Sequence, residues 1–152
     1  MKKVVIVALL ILFLVGQSFA AEKPGTPREA QQLVKKAVAY IKANGTDKAF
    51  ATFTNKKGPF IDRDLYIVVY NMEGKCLAHG FIPAMAGKDL SGMKDPDGKA
   101  YGKERLQLAK TKTSFWVDYK YPNPVTKKIE PKSMYHEVYN NMIVGCGVYK
   151  QK

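Results

Sequence analysis

DLYIVVYNMEGKCLAHG, residues 64–80, is the stretch on which the reading of this chain turns. Leu65, Ile67 and Val69 alternate with Tyr66, Val68 and Tyr70, a period of two that places each set on its own face of a strand. Asn71-Met72-Glu73-Gly74 interrupts the run with hairpin chemistry, Gly74 supplying the positive φ of a bulged turn. Lys75 to His79 then returns as a second strand. Tyr66 and Tyr70 share one face, and His79 lies close by on the neighbouring strand. A polar, aromatic face on an otherwise aliphatic hairpin is where a bound molecule is expected.

Outward from the hairpin, the chain supplies packing for one sheet. Thr26 and Glu29 have capping-box spacing around Pro27, which marks a helix start. Ala30, Leu33, Val34, Ala37, Val38 and Ile41 follow as one apolar stripe at helical spacing. Asn44-Gly45 closes this helix with a left-handed cap. Thr46-Asp47 is expected to cap a second, shorter helix carrying Ala49, Phe50 and Phe53. After His79, Gly80 to Gly98 reads as a long irregular piece, a length that in a compact domain is usually either functional or disordered. Lys99 to Lys110 reads as a helix with Leu106 and Ala109 inward. Three strands complete the chain: Ser114 to Tyr121, Ile129 to Tyr139 and Met142 to Tyr149, joined at Pro122-Asn123-Pro124 and at Asn140-Asn141. The order predicts an α+β domain, a five-stranded antiparallel sheet with helices packed on it.

With 152 residues, 46% of them hydrophobic, the chain has enough apolar material for one core. Met1-Lys2-Lys3, the apolar run Val4 to Val15 and the small-x-small site Ser18-Phe19-Ala20 have the layout of a secretory signal peptide. Residues 1–20 are therefore expected to be a cleaved leader and 21–152 the mature domain, periplasmic or secreted, with no stable membrane insertion. The formal net charge is +12. Its lysines are scattered and arginine occurs only at 28, 63 and 105, so the balance reads as a soluble basic surface rather than a nucleic-acid site.

Catalytic signatures are missing from the sequence. There is no Gly-x-Ser-x-Gly, no HExxH and no P-loop. Cys76 and His79, three residues apart on one strand, are expected to face opposite ways, which argues against a thiolate–imidazole pair. Asp95-Pro96-Asp97-Gly98 resembles the opening of a calcium loop but lacks the later ligands, so it reads as a turn, and no metal or cofactor is expected. Cys76 and Cys146 are the only cysteines. Export would favour one disulfide between them, and spacing alone does not decide it.

A family resemblance emerges from six segments in order: Asp64-Leu65-Tyr66-Ile67, Leu77-Ala78-His79-Gly80, residues 94–99 (KDPDGK), Trp116-Val117-Asp118-Tyr119-Lys120, Pro131-Lys132-Ser133-Met134-Tyr135 and residues 144–149 (VGCGVY). Together they resemble single Cache domains, over residues 30–150. The resemblance implies a PAS-like fold, a long N-terminal helix packed on a five-stranded antiparallel sheet of order 2-1-5-4-3. It also implies a pocket for small organic acids and a role as an extracytoplasmic sensor, with a membrane receptor or kinase as partner. Cys146 departs from the family, which more often has a small hydroxyl residue or alanine between the glycines. The implied order puts Cys76 and Cys146 two strands apart, about 10 Å, beyond disulfide reach, so both are expected to be unpaired.

A carboxylate pocket needs a cation or several donors inside apolar walls. Lys132 stands inside an alternating strand rather than at a turn. Tyr66, Tyr119 and Tyr135 offer hydroxyls, Trp116 an N–H and a wall, and His79 a titratable donor. Met85, in the long irregular piece, is a candidate lid. Residues 116 and 119, like 132 and 135, differ by three, so on regular strands these four cannot all line one pocket. The expected function is binding of a small organic anion and relay of that state to a partner in signal transduction. The alternative is a protein-interaction or scaffold module whose pocket is filled by its own side chains.

Overall fold

A computed structural model describes residues 23–150. The proposed leader, residues 1–20, lies outside the described residues. Helix α1 (Pro27–Asn44) starts with the expected reciprocal cap: Glu29 N donates to Thr26 Oγ1, and Thr26 N donates to the Glu29 carboxylate at 2.7 Å. Its stripe of Ala30, Val34, Ala37, Val38 and Ile41 is buried. Gly45 ends α1 with φ 79° but ψ 168°, which is not the left-handed helical region expected. The same glycine precedes α2 (Thr46–Thr54) without any side-chain cap, so Thr46 is the first helical residue rather than the cap.

The sheet has six strands: β1 (Ile61–Asp62), β2 (Leu65–Asn71), β3 (Cys76–His79), β4 (Ser114–Pro122), β5 (Ile129–Tyr139) and β6 (Met142–Tyr149). The two-residue β1 is the one not anticipated. It pairs with the start of β2 along the same edge that carries β3 farther on. All recorded pairings are antiparallel, and the five longer strands run β3-β2-β6-β5-β4. In chain order that is 2-1-5-4-3. Turn chemistry sets the registers: Asn71 Oδ1 accepts from Lys75 N at 2.8 Å while Gly74 takes φ 95°. Asn140 and Asn141, both at positive φ, make the two-residue β5–β6 turn.

Parity along each strand divides the core in two. Toward α1 and α2 lie Leu65, Ile67, Val69, Tyr135, Val144, Cys146 and Val148. Toward α3 (Tyr101–Ala109) and the irregular segment before it lie Tyr66, Val68, Tyr70, Val117, Tyr119, Met134 and Ile143. Two face assignments depart from expectation, one by addition and one by reversal. Helix α3 turns Ala109 inward and packs a half-buried Leu106 on the core as expected, and turns Tyr101 and Arg105 inward as well. In β3 the register shifts against Val69/Tyr70, pairing Cys76 with Tyr70, Ala78 with Val69 and His79 with Val68. Leu77 is the extra residue of that bulge, and it brings Cys76 and His79 onto the same face rather than opposite ones.

Both cysteines are free and buried. They flank β2 from opposite sides, Cys76 across from Tyr70 and Cys146 across from Ile67. They also belong to different halves of the core.

Candidate functional site

The α3-side half of the core encloses a small cavity lined by side chains from β2, β3, β4, β5, α3 and the segment before it. Its depth is set by Lys132, only 1% exposed. The ammonium donates to the Tyr66 hydroxyl at 2.7 Å and to the Tyr149 hydroxyl at 3.3 Å. It also lies over the rings of Tyr66, Tyr149 and Tyr121 at 4.2, 4.8 and 5.2 Å. No carboxylate pairs with it among the described residues. Burial therefore pulls its pKa from 10.5 down to about 7, with only partial relief from the neighbourhood of Cys146 and Asp64. Such an ammonium is a hydrogen-bonded cation without a counter-charge in a water-poor interior.

The lysine fits because β6 makes room for it. Gly145 and Gly147 point to the cavity side while Cys146 between them points to α1. A Cβ at Gly147 would overlap Lys132 Cε outright, and one at Gly145 would come within 2.8 Å of both His136 Cδ2 and Met134 Cε. The Gly-Cys-Gly motif is thus a trough under the β5 side chains.

His79 stacks on Tyr66 with ring centroids 5.3 Å apart. Its Nδ1 accepts from the Ile82 backbone N–H at 3.0 Å, which leaves Nε2 to carry the proton. Burial, reinforced by the Lys132 charge, pushes its pKa down to about 3, so the ring is neutral at any ordinary pH. Tyr119 spends its hydroxyl proton on Met134 Sδ, a weak acceptor, at 3.1 Å, and its ring lies flat against Tyr101 at 4.0 Å. Burial holds the Tyr66 and Tyr119 phenols well above their ordinary pKa, so both remain protonated donors.

Of the residues singled out from the sequence, Tyr66, His79, Tyr119 and Lys132 line the cavity. Trp116 and Tyr135 do not. They pair across β4 and β5 on the α1 face, rings 5.1 Å apart, as the parity argument required. Met85 sits half-buried at the margin of the cavity-side core, while Leu90 and Met93 of the same irregular segment reach the cavity itself. Sequence reasoning missed Arg105, also 1% exposed and a lining residue. Its spacing of four from Tyr101 and from Ala109 was the available signal. Tyr70, read from the sequence as sharing the face of Tyr66, lines the cavity too, and Tyr121, which was missed, shares strand parity with Tyr119 and was equally readable. The open space among these side chains is about 10 Å³, room for roughly one water.

The groups gathered here, an ammonium without a counter-charge, phenol hydroxyls and aromatic walls that exclude water, are those a small anion engages, although the open space as it stands takes no more than about one water. No cluster of histidine, cysteine or carboxylate side chains suited to a metal ion occurs among the described residues. No helix among them is long and apolar enough to cross a membrane.

Comparisons with known proteins agree on the fold. Methyl-accepting chemotaxis protein McpP of Pseudomonas putida is 31% identical over 90 residues, which is 58% of this chain but 16% of that protein. The chain thus spans about a sixth of that curated relative. A solved structure described as the periplasmic sensor domain of a chemotaxis protein superposes with a TM-score of 0.64 at 26% identity, over 82% of this chain and 90% of that one. A methyl-accepting chemotaxis protein from Vibrio parahaemolyticus gives 0.69 at 22% identity, covering 80% and 86%, a likeness of fold. So does a Cache chemosensory domain described for carboxylic acid recognition, with a TM-score of 0.68 at 23% identity over 82% and 92%. The family model for Single Cache domain 2 matches residues 6–151, nearly the whole sequence, and the chain belongs to that family of sensor domains.

Proposed function

We propose that residues 21–152 form an extracytoplasmic domain, exported by residues 1–20, that binds a small organic acid as its carboxylate. The domain relays the occupied state to a receptor or kinase partner in signal transduction. One observation carries the reading: the Lys132 ammonium is buried without a carboxylate partner, held by two phenol hydroxyls at 2.7 and 3.3 Å. A bound carboxylate supplies the missing counter-charge. It would also raise the lysine pKa again, so anion uptake brings a proton with it. Affinity therefore falls as pH rises above about 7.

The small volume, about 10 Å³, favours a second reading, a scaffold module whose interior is filled by its own side chains. A carboxylate enters only if Leu90 and Met93, carried on the irregular segment, move outward. A thermal-shift screen of small carboxylates at pH 6 and pH 9 separates the two. Binding at a hundredfold excess over Kd adds about 2.7 kcal/mol, readily seen as a shift in Tm. Stabilisation by a carboxylate that weakens at pH 9 supports the sensor reading. No shift from any carboxylate, together with an unaltered melt for Lys132→Ala, sinks it in favour of the scaffold.

A further inference from the structure

Lys132 is not the sole buried cation in this interior. Arg105 lines the same cavity from α3, its guanidinium carbon 3.7 Å from the centre of the Tyr70 ring and 5.9 Å from that of Tyr101. Its Nε and Nη2 have no hydrogen-bond partner, although both are fully enclosed. No acid forms a salt bridge with it among the described residues. Beside it on β5, His136 is wholly buried, stacked on Phe115, with both ring nitrogens also without partners. Arginine rarely tolerates such a place, because every unfilled N–H of a buried guanidinium forfeits a strong charge-assisted bond. These donors await an acceptor.

The two cations stand at opposite ends of one face. Lys132 lies over Tyr66 and Arg105 over Tyr70, and those tyrosines are four residues apart on β2, ~13 Å at ~3.3 Å per residue. Between the two ends the Tyr119 hydroxyl is bonded to a thioether, a partner that an oxygen acceptor would replace with gain. A single carboxylate is too short to satisfy both ends. A molecule with an anionic group at each end of a short aliphatic chain can engage both cations through charge-assisted bonds.

We infer that Arg105 is a second anion anchor and that the cavity, opened at Leu90 and Met93, selects a short aliphatic dicarboxylate over the monocarboxylate of equal length. This inference rests on the carboxylate-binding reading above and narrows its ligand class. Arg105 touches the distal carboxylate, Lys132 the proximal one, and Tyr119 donates between them.

Calorimetric titration of the purified protein at pH 6.5 with succinate and with butyrate tests it. The unmodified protein should bind succinate at least about tenfold more tightly than butyrate, the worth of one added charge-assisted contact. Arg105→Met should reduce that ratio to within about twofold, and Arg105→Lys, which keeps the charge but not the fork, should retain an intermediate preference. The ratio in the unmodified protein decides the matter even if a variant does not fold. Butyrate binding as tight as succinate overturns the dicarboxylate inference and leaves the carboxylate-binding reading standing. An undiminished preference in a folded Arg105→Met protein overturns the role of Arg105. Binding of neither acid overturns the inference, and the wider screen then decides the reading beneath it.

Discussion

Lys132→Met should stabilise the unliganded protein at neutral pH while removing its response to anions. The pKa of Lys132 falls from 10.5 to about 7 on burial. At ~1.4 kcal/mol per tenfold change in proton affinity, the folded state carries a penalty of about 5 kcal/mol whenever the amine is protonated in the unfolded chain and pH is at or below 7. Methionine has similar volume and no charge, so the penalty disappears. Against this, the Tyr66 and Tyr149 hydroxyls lose a partner, at about 1 kcal/mol each, and the cation–ring contacts add about another. The variant should therefore gain about 2 kcal/mol at pH 6, or roughly 8 °C in Tm. For a lysine with a depressed folded pKa the penalty is complete below about 7 and fades as pH rises from there toward 10.5. The advantage of the variant should shrink across that window and reverse near about pH 8–9. Paired thermal melts from pH 6 to pH 10 measure this directly, since other groups titrate alike in both proteins. A variant less stable than its parent at pH 6, with a gap that pH does not alter, would show that the ammonium is a structural strut and not a strained binding group.

Three further outcomes follow from the same geometry. Gly147→Ala places a methyl group where Lys132 Cε lies, so the ammonium must leave its tyrosine cage. Carboxylate affinity should drop by about tenfold or more in a folded protein, and unchanged affinity would remove Lys132 from the site. His79, held near about 3, and His136, held well below its usual value, stay neutral when folded but take up protons when unfolded. Each should therefore cost about 1.4 kcal/mol of stability per unit as pH falls below 6.5, and His136→Leu should remove one proton's share of that slope in melts between pH 7 and 5. Cys76 and Cys146, their thiols raised by burial to about 11 and about 12, should resist a thiol reagent in the native state and titrate as two free groups in denaturant. One equivalent or none after unfolding would contradict the strand placement.

How far the sequence could be read depended on whether regular spacing governed the residue in question. Strand parity separated Trp116 from Tyr119 and Lys132 from Tyr135, and the split holds because β4 and β5 pair without interruption from Ser114↔Glu137 to Pro122↔Ile129; which member of each pair meets Tyr66 needed the cross-strand register. Parity failed at Leu77, where a bulge that no single residue announces turns Cys76 to face the same way as His79. The α1 cap was legible because its bonds are local. Gly45 was legible as the stop of α1 but its ψ was not, since the same residue ends α1 and precedes α2. Arg105 escaped notice for a different reason. A charged residue between Lys103, Glu104 and Gln107 looks like part of a solvated face, and only the aromatic rings of distant strands make its burial tolerable.

The sheet assigns different duties to its two faces, and β6 shows the division residue by residue. Val144, Cys146 and Val148 pack against α1 with no unpaired polar atoms, whereas the alternate positions 145 and 147 are glycines that give up packing so that Met134, His136 and Lys132 can lie across them. The α3 side then holds a buried ammonium without a counter-charge, and a guanidinium and a histidine with unfilled hydrogen-bonding capacity, each a cost of about a kcal/mol or more. A fold of this size carries only about 5–15 kcal/mol of net stability, so such a face persists only because the other is well packed. Substitutions should sort accordingly. Apolar replacements on the cavity side trade binding for stability, while Val144→Ala or Val34→Ala, on the α1 side, should cost about 1–3 kcal/mol without altering the ratio of affinities for different acids. If losses on the two faces proved alike in kind, the cavity would be ordinary core, and its unpaired charges would have no functional explanation.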